Sequence, residues 1–299
     1  MRVSERMRFD IVQNRVNDAK TKNASAMEKL SSQKEVRLLS DNPTKATQII
    51  RLRDTIADAM QFQKNIDYSK GLMEVTENAL DRIGSSLIRA KELAIAMAND
   101  TNDSRAREAT SREIREIMNE VVQIANTTYK GRYVFGGFRT LTPPLSLDGD
   151  FLGDDGSLYL QISPGDFRQV NLPSRYLFEA SPDDRMHGHF NMIHTLEVLF
   201  DGTANNDKNS IQKALNELDH QLEKTTSSQA TIGSQWNGLK SAQDRLAIEE
   251  VNLRSNLSKA QDADFYEATS EFRRTETTLQ STLLSSTKLL QPSLLNFLQ

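Results

Sequence analysis

Four histidines offer the first chemistry in this chain. His187, His189 and His194 fall within MHGHFNMIH, and His220 follows. Imidazoles at this density suggest metal ligation, but the stretch has no HExxH spacing and no cysteine or well-spaced carboxylate completes a ligand set. It reads as a histidine-rich loop. DGDFLGDDG, from Asp148, resembles a calcium loop, yet its fifth position is Leu152 and its twelfth is Tyr159 instead of an acid. The EF-hand pattern therefore fails and leaves a solvated acidic turn. GRYVFGGF, from Gly131, is glycine-rich but lacks both the GK[ST] ending of a P-loop and GxGxxG, so it reads as a helix-to-strand junction. Serines are many, but none stands at a telling distance from a histidine. The expectation is a chain with no catalytic residues, no metal and no cofactor.

The remaining sequence must then be read for shape and surface. Charge is dense and nearly balanced at a net −4, against the strong basicity of most nucleic-acid-binding proteins. No run of 18 apolar residues exists, which argues against membrane insertion. MRVSERMRFD has no apolar core with a small-residue cleavage site, so no secretory signal peptide is expected. Cysteine is absent, which suits an oxidising exterior.

The helix breakers are gathered in mid-chain. Nine of 13 glycines lie from Gly131 to Gly202 and five of seven prolines from Pro143 to Pro182, which separates two helical arms from a turn-rich insert. After Pro43, Leu52, Ala59, Ile66, Met73, Leu80, Leu87 and Ala94 recur every seven residues, with Ile83, Ala90 and Met97 on the second seam. This predicts one long helix over 44–98 in a coiled coil or bundle. NDTNDS (99–104) stops it and caps an antiparallel neighbour that carries Ile114, Ile117, Val121 and Ile124 to about Thr128. SLYLQIS, SPGD and FRQVNL predict a β-hairpin over 157–172 with Pro164 and Gly165 at the centre of a type II turn. The rest of 140–200 shows no period. Helix returns in two segments, one marked by Ile211, Leu215, Leu218 and Leu222, the other by Leu239, Leu246, Leu253 and Ala260.

The tail TTLQSTLLSSTKLLQPSLLNFLQ (277–299) holds eight leucines and a phenylalanine against one charge, Lys288. Chain ends are ordinarily polar. A contiguous apolar stripe there marks an interaction surface, and the weaker N-terminal stripe is its natural mate. The expected assembly interface is Val3, Met7 and Ile11 with Leu279, Leu283, Leu290, Leu294 and Phe297. Pro292 should end or kink the last helix. The predicted fold is mainly α: a long antiparallel coiled-coil or bundle rod built from both termini, with a small β-rich insert. Its expected parts are a terminal assembly domain (1–42 with 262–299), a helical bundle (43–138 with 205–261) and an outer insert (139–204).

The arms carry a resemblance. LSSQKEVRLLSDNPTKATQIIRLRDTI (30–56) resembles the N-terminal signature of the bacterial flagellin superfamily, and DADFYEATSEFRRTETTLQSTLLSSTKLLQPSLLNFL (262–298) looks like its terminal helix. SDNP with Pro43, the opening MRVSERM, Asn126 with Tyr133–Gly137, and the closing SLLNFL are similar to its hook–filament junction proteins. The match covers about 1–138 and 205–299. Gln33 stands where the family usually carries glycine, which implies a shallower bend or a continuous helix there. The resemblance implies a structural subunit outside the cell, in the flagellum, at the hook–filament junction. It further implies unfolded type III export, a chaperone on the C-terminal region, a homo-oligomeric ring, and contacts with the other junction protein and flagellin-like subunits. A minor flagellin and a secreted coiled-coil tip or adhesin remain as alternatives from the residues themselves.

Overall fold

The computed structural model describes residues 2–99, 103–146, 149–180 and 182–290. The fold is mainly α, as the sequence predicts, with two small hairpins where the sequence predicts one. The helices are α1 (Arg2–Ser32), α2 (Pro43–Ala98), α3 (Ser104–Ala125), α4 (Arg175–Phe178), α5 (Pro182–Met186), α6 (Met192–Asn205), α7 (Lys208–Gln261) and α8 (Phe265–Leu290). The strands are β1 (Thr128–Tyr129), β2 (Arg132–Tyr133), β3 (Tyr159–Ser163) and β4 (Asp166–Gln169). Two compact units result, Met1–Asp58 with Glu249–Gln299, and Ala59–Ile248.

The larger unit contains the main core. Ala59, Ile66, Met73, Leu80, Leu87 and Ala94 are all buried on α2, and Ile83, Ala90 and Met97 fill the second seam. Knobs at this spacing keep one face of a long helix inward over many turns. α3 runs antiparallel beside α2, with Arg89 Nε 2.8 Å from Glu113 Oε1 and Arg82 Nη2 3.5 Å from Glu120 Oε1. Residues 100–102 of the expected stop lie outside the described residues, but Asp103 caps α3 by accepting from the Ala106 amide at 2.7 Å. α3 ends at Ala125, short of the expected Thr128. Asn126 stops it by clamping Leu145, donating to its carbonyl at 2.8 Å and accepting from its amide at 3.1 Å.

α7 is one helix of 54 residues and not two segments. The gap between its leucine stripes is bridged by small polar residues. Thr225 and Ser228 are buried, yet each hydroxyl donates to a carbonyl one turn back, at 2.8 Å, so burial leaves neither unpaired. α7 is antiparallel to α2, with Lys70 Nζ 3.0 Å from Gln243 Oε1 and Lys91 paired to Asp219.

The insert is ordered by turns and clamps. GRYVFGGF begins inside a hairpin: β1 pairs with β2 across Lys130 and Gly131, both at positive φ (50° and 77°), a pairing typical of tight two-residue hairpins. The second hairpin pairs β3 with β4, and Gly165 takes the positive φ (76°) that its turn requires. Its strands are shorter than 157–172 because Asn171 replaces the ladder at the open end, accepting from Leu158 N and donating to Gly156 O, both at 2.7 Å. Asp154 fixes the next corner by accepting from Phe138 N at 2.7 Å and Gly156 N at 2.9 Å. Those bonds, Phe138 foremost, hold its carboxyl below the usual aspartate range. The histidine stretch is only partly a loop, because His194 lies in the first turn of α6, whose cap is Asn191.

The smaller unit contains α1, α8, residues 43–58 of α2 and 249–261 of α7. α1 and α8 are antiparallel neighbours: Asn23 Nδ2 lies 3.4 Å from Thr275 Oγ1, and Lys29 Nζ lies 3.7 Å from Glu271 Oε2. The shallow bend or continuous helix implied at Gln33 is not observed. α1 stops at Ser32 and Gln33 takes φ 55°, the left-handed conformation that a glycine would adopt freely. Its neighbours enforce it. Ala263 N donates to Gln33 O at 2.9 Å, Glu35 N donates to Gln261 O at 2.8 Å, and Lys34 bridges Asp262. Val36 is thereby buried against Ala46, Ile49 and Ala260.

Candidate assembly interface

The helix pair α1/α8 carries the residues the sequence points to. Their placement follows from two heptad seams of small side chains. On α1 the covered residues are Val12, Val16, Ala19, Asn23, Ala26 and Leu30; on α8 they are Ala268, Phe272, Thr275, Leu279, Thr282 and Ser286. Both series step by four and three, which keeps one face of each helix on its neighbour. In the register set by Asn23 and Thr275, Ala19 comes level with Leu279.

Several larger apolar side chains stay outside, although Leu30, Phe272 and Leu279 are half-covered on the seam. Met7 is 64% exposed, Phe9 51%, Ile11 46%, Leu283 41% and Leu284 66%. Of the expected interface residues, Met7, Ile11 and Leu283 are thus exposed and Leu279 is half-buried against α1. The side chains of Val3 and Leu290, and all of Leu294, Phe297 and Pro292, lie outside the described residues. Met7 and Ile11 are therefore not on the seam that meets α8 within the chain; the seam passes through Val12 and Asn23. Its four-three spacing is legible in the sequence through Val16, Ala19, Ala268, Phe272 and Leu279. Phe9 and Leu284 belong to the same exposed set and were missed.

The connection beside the pair is held by charge. Asp41 accepts from Leu38 N at 2.8 Å and Arg37 N at 3.0 Å, which lowers its carboxyl below the usual range, and Arg37 also pairs with Glu28. Among the described residues, no group of three or more His, Asp or Glu side chains is placed to hold a metal ion, and no helix is long and apolar enough to cross a membrane. His189 and His220 stack at 4.2 Å, and each meets one carboxylate, Glu217 at 2.9 Å and Asp184 at 3.3 Å.

Comparison with known proteins decides the family. The bacterial flagellin N-terminal helical region matches residues 3–140, and the bacterial flagellin C-terminal helical region matches 215–298. The chain belongs to the bacterial flagellin family. Its relatives include both hook–filament junction proteins and flagellins. Flagellar hook-associated protein 3 of Escherichia coli is 23% identical over 85% of this chain and 86% of that protein. A flagellin of Halalkalibacterium halodurans is 27% identical over 84% of this chain and 81% of its own length. The flagellar junction protein FlgL of Legionella pneumophila superposes with a TM-score of 0.58 over 72% of this chain and all of that one, at 15% identity, a likeness of fold. A flagellin-family chain with α1 and α8 paired and apolar on the outside is a structural component of the flagellum.

Proposed function

We propose that this chain is an adaptor at the hook–filament junction, joined to its neighbours through α1 and α8 without catalysis. The observation that carries the reading is the outward placement of Met7, Phe9, Ile11, Leu283 and Leu284 over a seam of small residues. Completing the burial of five such side chains contributes about 4–7 kcal/mol, since each is about half covered already and full burial is worth about 1.5–3 kcal/mol. That energy becomes available only when another subunit supplies the covering surface, so ordering of the pair and assembly are coupled. The terminal assembly domain is 1–42 with 262–299, and Val3, Leu290, Leu294 and Phe297 extend the same interface. Its partners are the other junction protein, flagellin-like subunits and further copies of this chain in a ring. Before assembly the chain passes unfolded through the type III channel with a chaperone on its C-terminal region, and it acts outside the cell.

Leu283→Asp combined with Leu284→Asp tests this in a flagellated cell that lacks its own copy. The variant is expected to be exported and to keep the Ala59–Ile248 unit folded, yet to be missing from the junction, with filaments lost. Normal filaments would refute the reading. The flagellin relative favours one alternative, a minor filament subunit. Growth of long filaments from purified protein on filament seeds would establish that alternative instead.

A further inference from the structure

One side of the α1/α8 pair opens into a groove of about 910 Å³, lined from Val12 to Lys22 on α1 and from Arg273 to Ser286 on α8. At 1.5 Å per residue these linings are about 15–20 Å long, the length of three to four helical turns. Its charge is one-sided. Arg15, Lys22, Arg273 and Arg274 line it, with Asp18 as the lone carboxylate. Among the described residues none of these four cations meets a carboxylate. Elsewhere in the same unit Lys29, Arg37 and Lys45 each hold one. The register set by Asn23 and Thr275 brings Arg273 and Arg274 level with the turn just after Lys22, so three of the four charges gather at one end.

The threonine hydroxyls of the α8 wall ask for no further acceptors. Thr277, Thr278 and Thr282 donate back to Arg273, Arg274 and Thr278 carbonyls at 2.8–2.9 Å. Small side chains with satisfied hydroxyls let another backbone approach closely. We propose that this groove seats an acidic amphipathic helix of a partner protein, with small residues on its docking face and carboxylates over one end that pair with Lys22, Arg273 and Arg274. This deepens the assembly reading, by giving the chemistry of one partner.

The test uses the full chain and three fluorescent probes: an 18-residue amphipathic helical peptide with alanine on one face and glutamates beside it, its glutamine counterpart, and an oligonucleotide of equal charge. Anisotropy should show the acidic peptide binding at least ten-fold more tightly than the glutamine peptide, with the difference shrinking in high salt. Arg273→Glu with Arg274→Glu should abolish that difference and favour a lysine-for-glutamate peptide. Arg273→Gln with Arg274→Gln, which carries no added acid, should weaken acidic binding while leaving helical content unchanged. Equal affinity for both peptides, indifference to the folded variants, or tighter binding of the oligonucleotide would each overturn the proposal. The junction reading is judged separately, by the leucine variants.

Discussion

Replacing Gln33 with glycine should strengthen the smaller unit, although it removes a side chain and adds no contact. Gln33 sits at φ 55°, a conformation that costs a non-glycine residue about 1–2 kcal/mol. Glycine escapes that cost but gives up more freedom on folding, about 0.5–1 kcal/mol. The net gain is about 0.5–1 kcal/mol. It falls on the structure that enforces the conformation, namely the bonds from Ala263 N to Gln33 O and from Glu35 N to Gln261 O. Native-state hydrogen exchange reads those two amides directly. Their exchange should slow by about two- to five-fold, since 1.36 kcal/mol is a factor of ten. Amides in α3, in the other unit, should not change. Gln33→Val should act in the opposite direction, because a β-branched residue tolerates positive φ worst. Unchanged or faster exchange at Ala263 and Glu35 in the glycine variant would refute the claim that Gln33 is strained.

Neighbouring residues on α2 give a sharp contrast: Leu87→Ala, at a fully buried site, should cost about 2–5 kcal/mol in urea unfolding, while Ile88→Ala, at an exposed one, should stay within about 0.5 kcal/mol. Lys224 is 1% exposed with Nζ 3.0 Å from Asp184 Oδ2, so Lys224→Ala should cost about 3–5 kcal/mol by breaking a buried ion pair. Lys224→Met with Asp184→Asn should cost much less, measured as a double-mutant cycle. The Asp154 carboxyl is lowered in the folded protein from an ordinary 3.8, so its contribution is present above that value and lost as pH falls through the lower one. Acid unfolding of wild type should therefore steepen below about pH 4 relative to Asp154→Asn, and parallel profiles would count against it.

The fold was most legible where one period held. The seven-residue series on α2 predicted both its length and its buried face, because every member from Ala59 to Ala94 packs into one core. Elsewhere the signal was local and lost to longer-range structure. α6 hid in the insert because its helix, Met192–Asn205, is short and follows a histidine-rich turn. α7 looked broken because Thr225 and Ser228, polar by composition, pack inward after satisfying themselves on their own backbone. Gln33 was misjudged because its conformation is decided by Gln261 and Ala263, more than 200 residues away. Of the residues the sequence offers for an interface, Met7, Ile11 and Leu283 are exposed on α1 and α8. Part of the seam was legible, as Val16 and Ala19 on α1 and Ala268, Phe272 and Leu279 on α8, while Asn23 and Ala26 carry little hydrophobic signal despite their spacing.

On the proposed assembly reading, that seam is why two helices of 31 and 26 residues need a further subunit to complete their burial. Burying an alanine removes far less apolar area than burying a leucine, so a seam built on Ala19, Ala26, Ala268 and Ser286 contributes little for the backbone it must order. The α2 seam, with Ile66, Met73, Leu80 and Leu87 at the equivalent spacing, suffers no such deficit. Small knobs also let α1 and α8 approach closely, and of the larger apolar side chains Leu30, Phe272 and Leu279 are half-covered on the seam while Phe9, Leu283 and Leu284 face away from it. A leucine at Ala19 or Ala26 would strengthen the isolated pair, but it would force the helices apart and redirect the outer face. On the proposed assembly reading, the pair is weak within one chain and its exposed apolar side chains, Phe9, Leu283 and Leu284 among them, await a covering subunit.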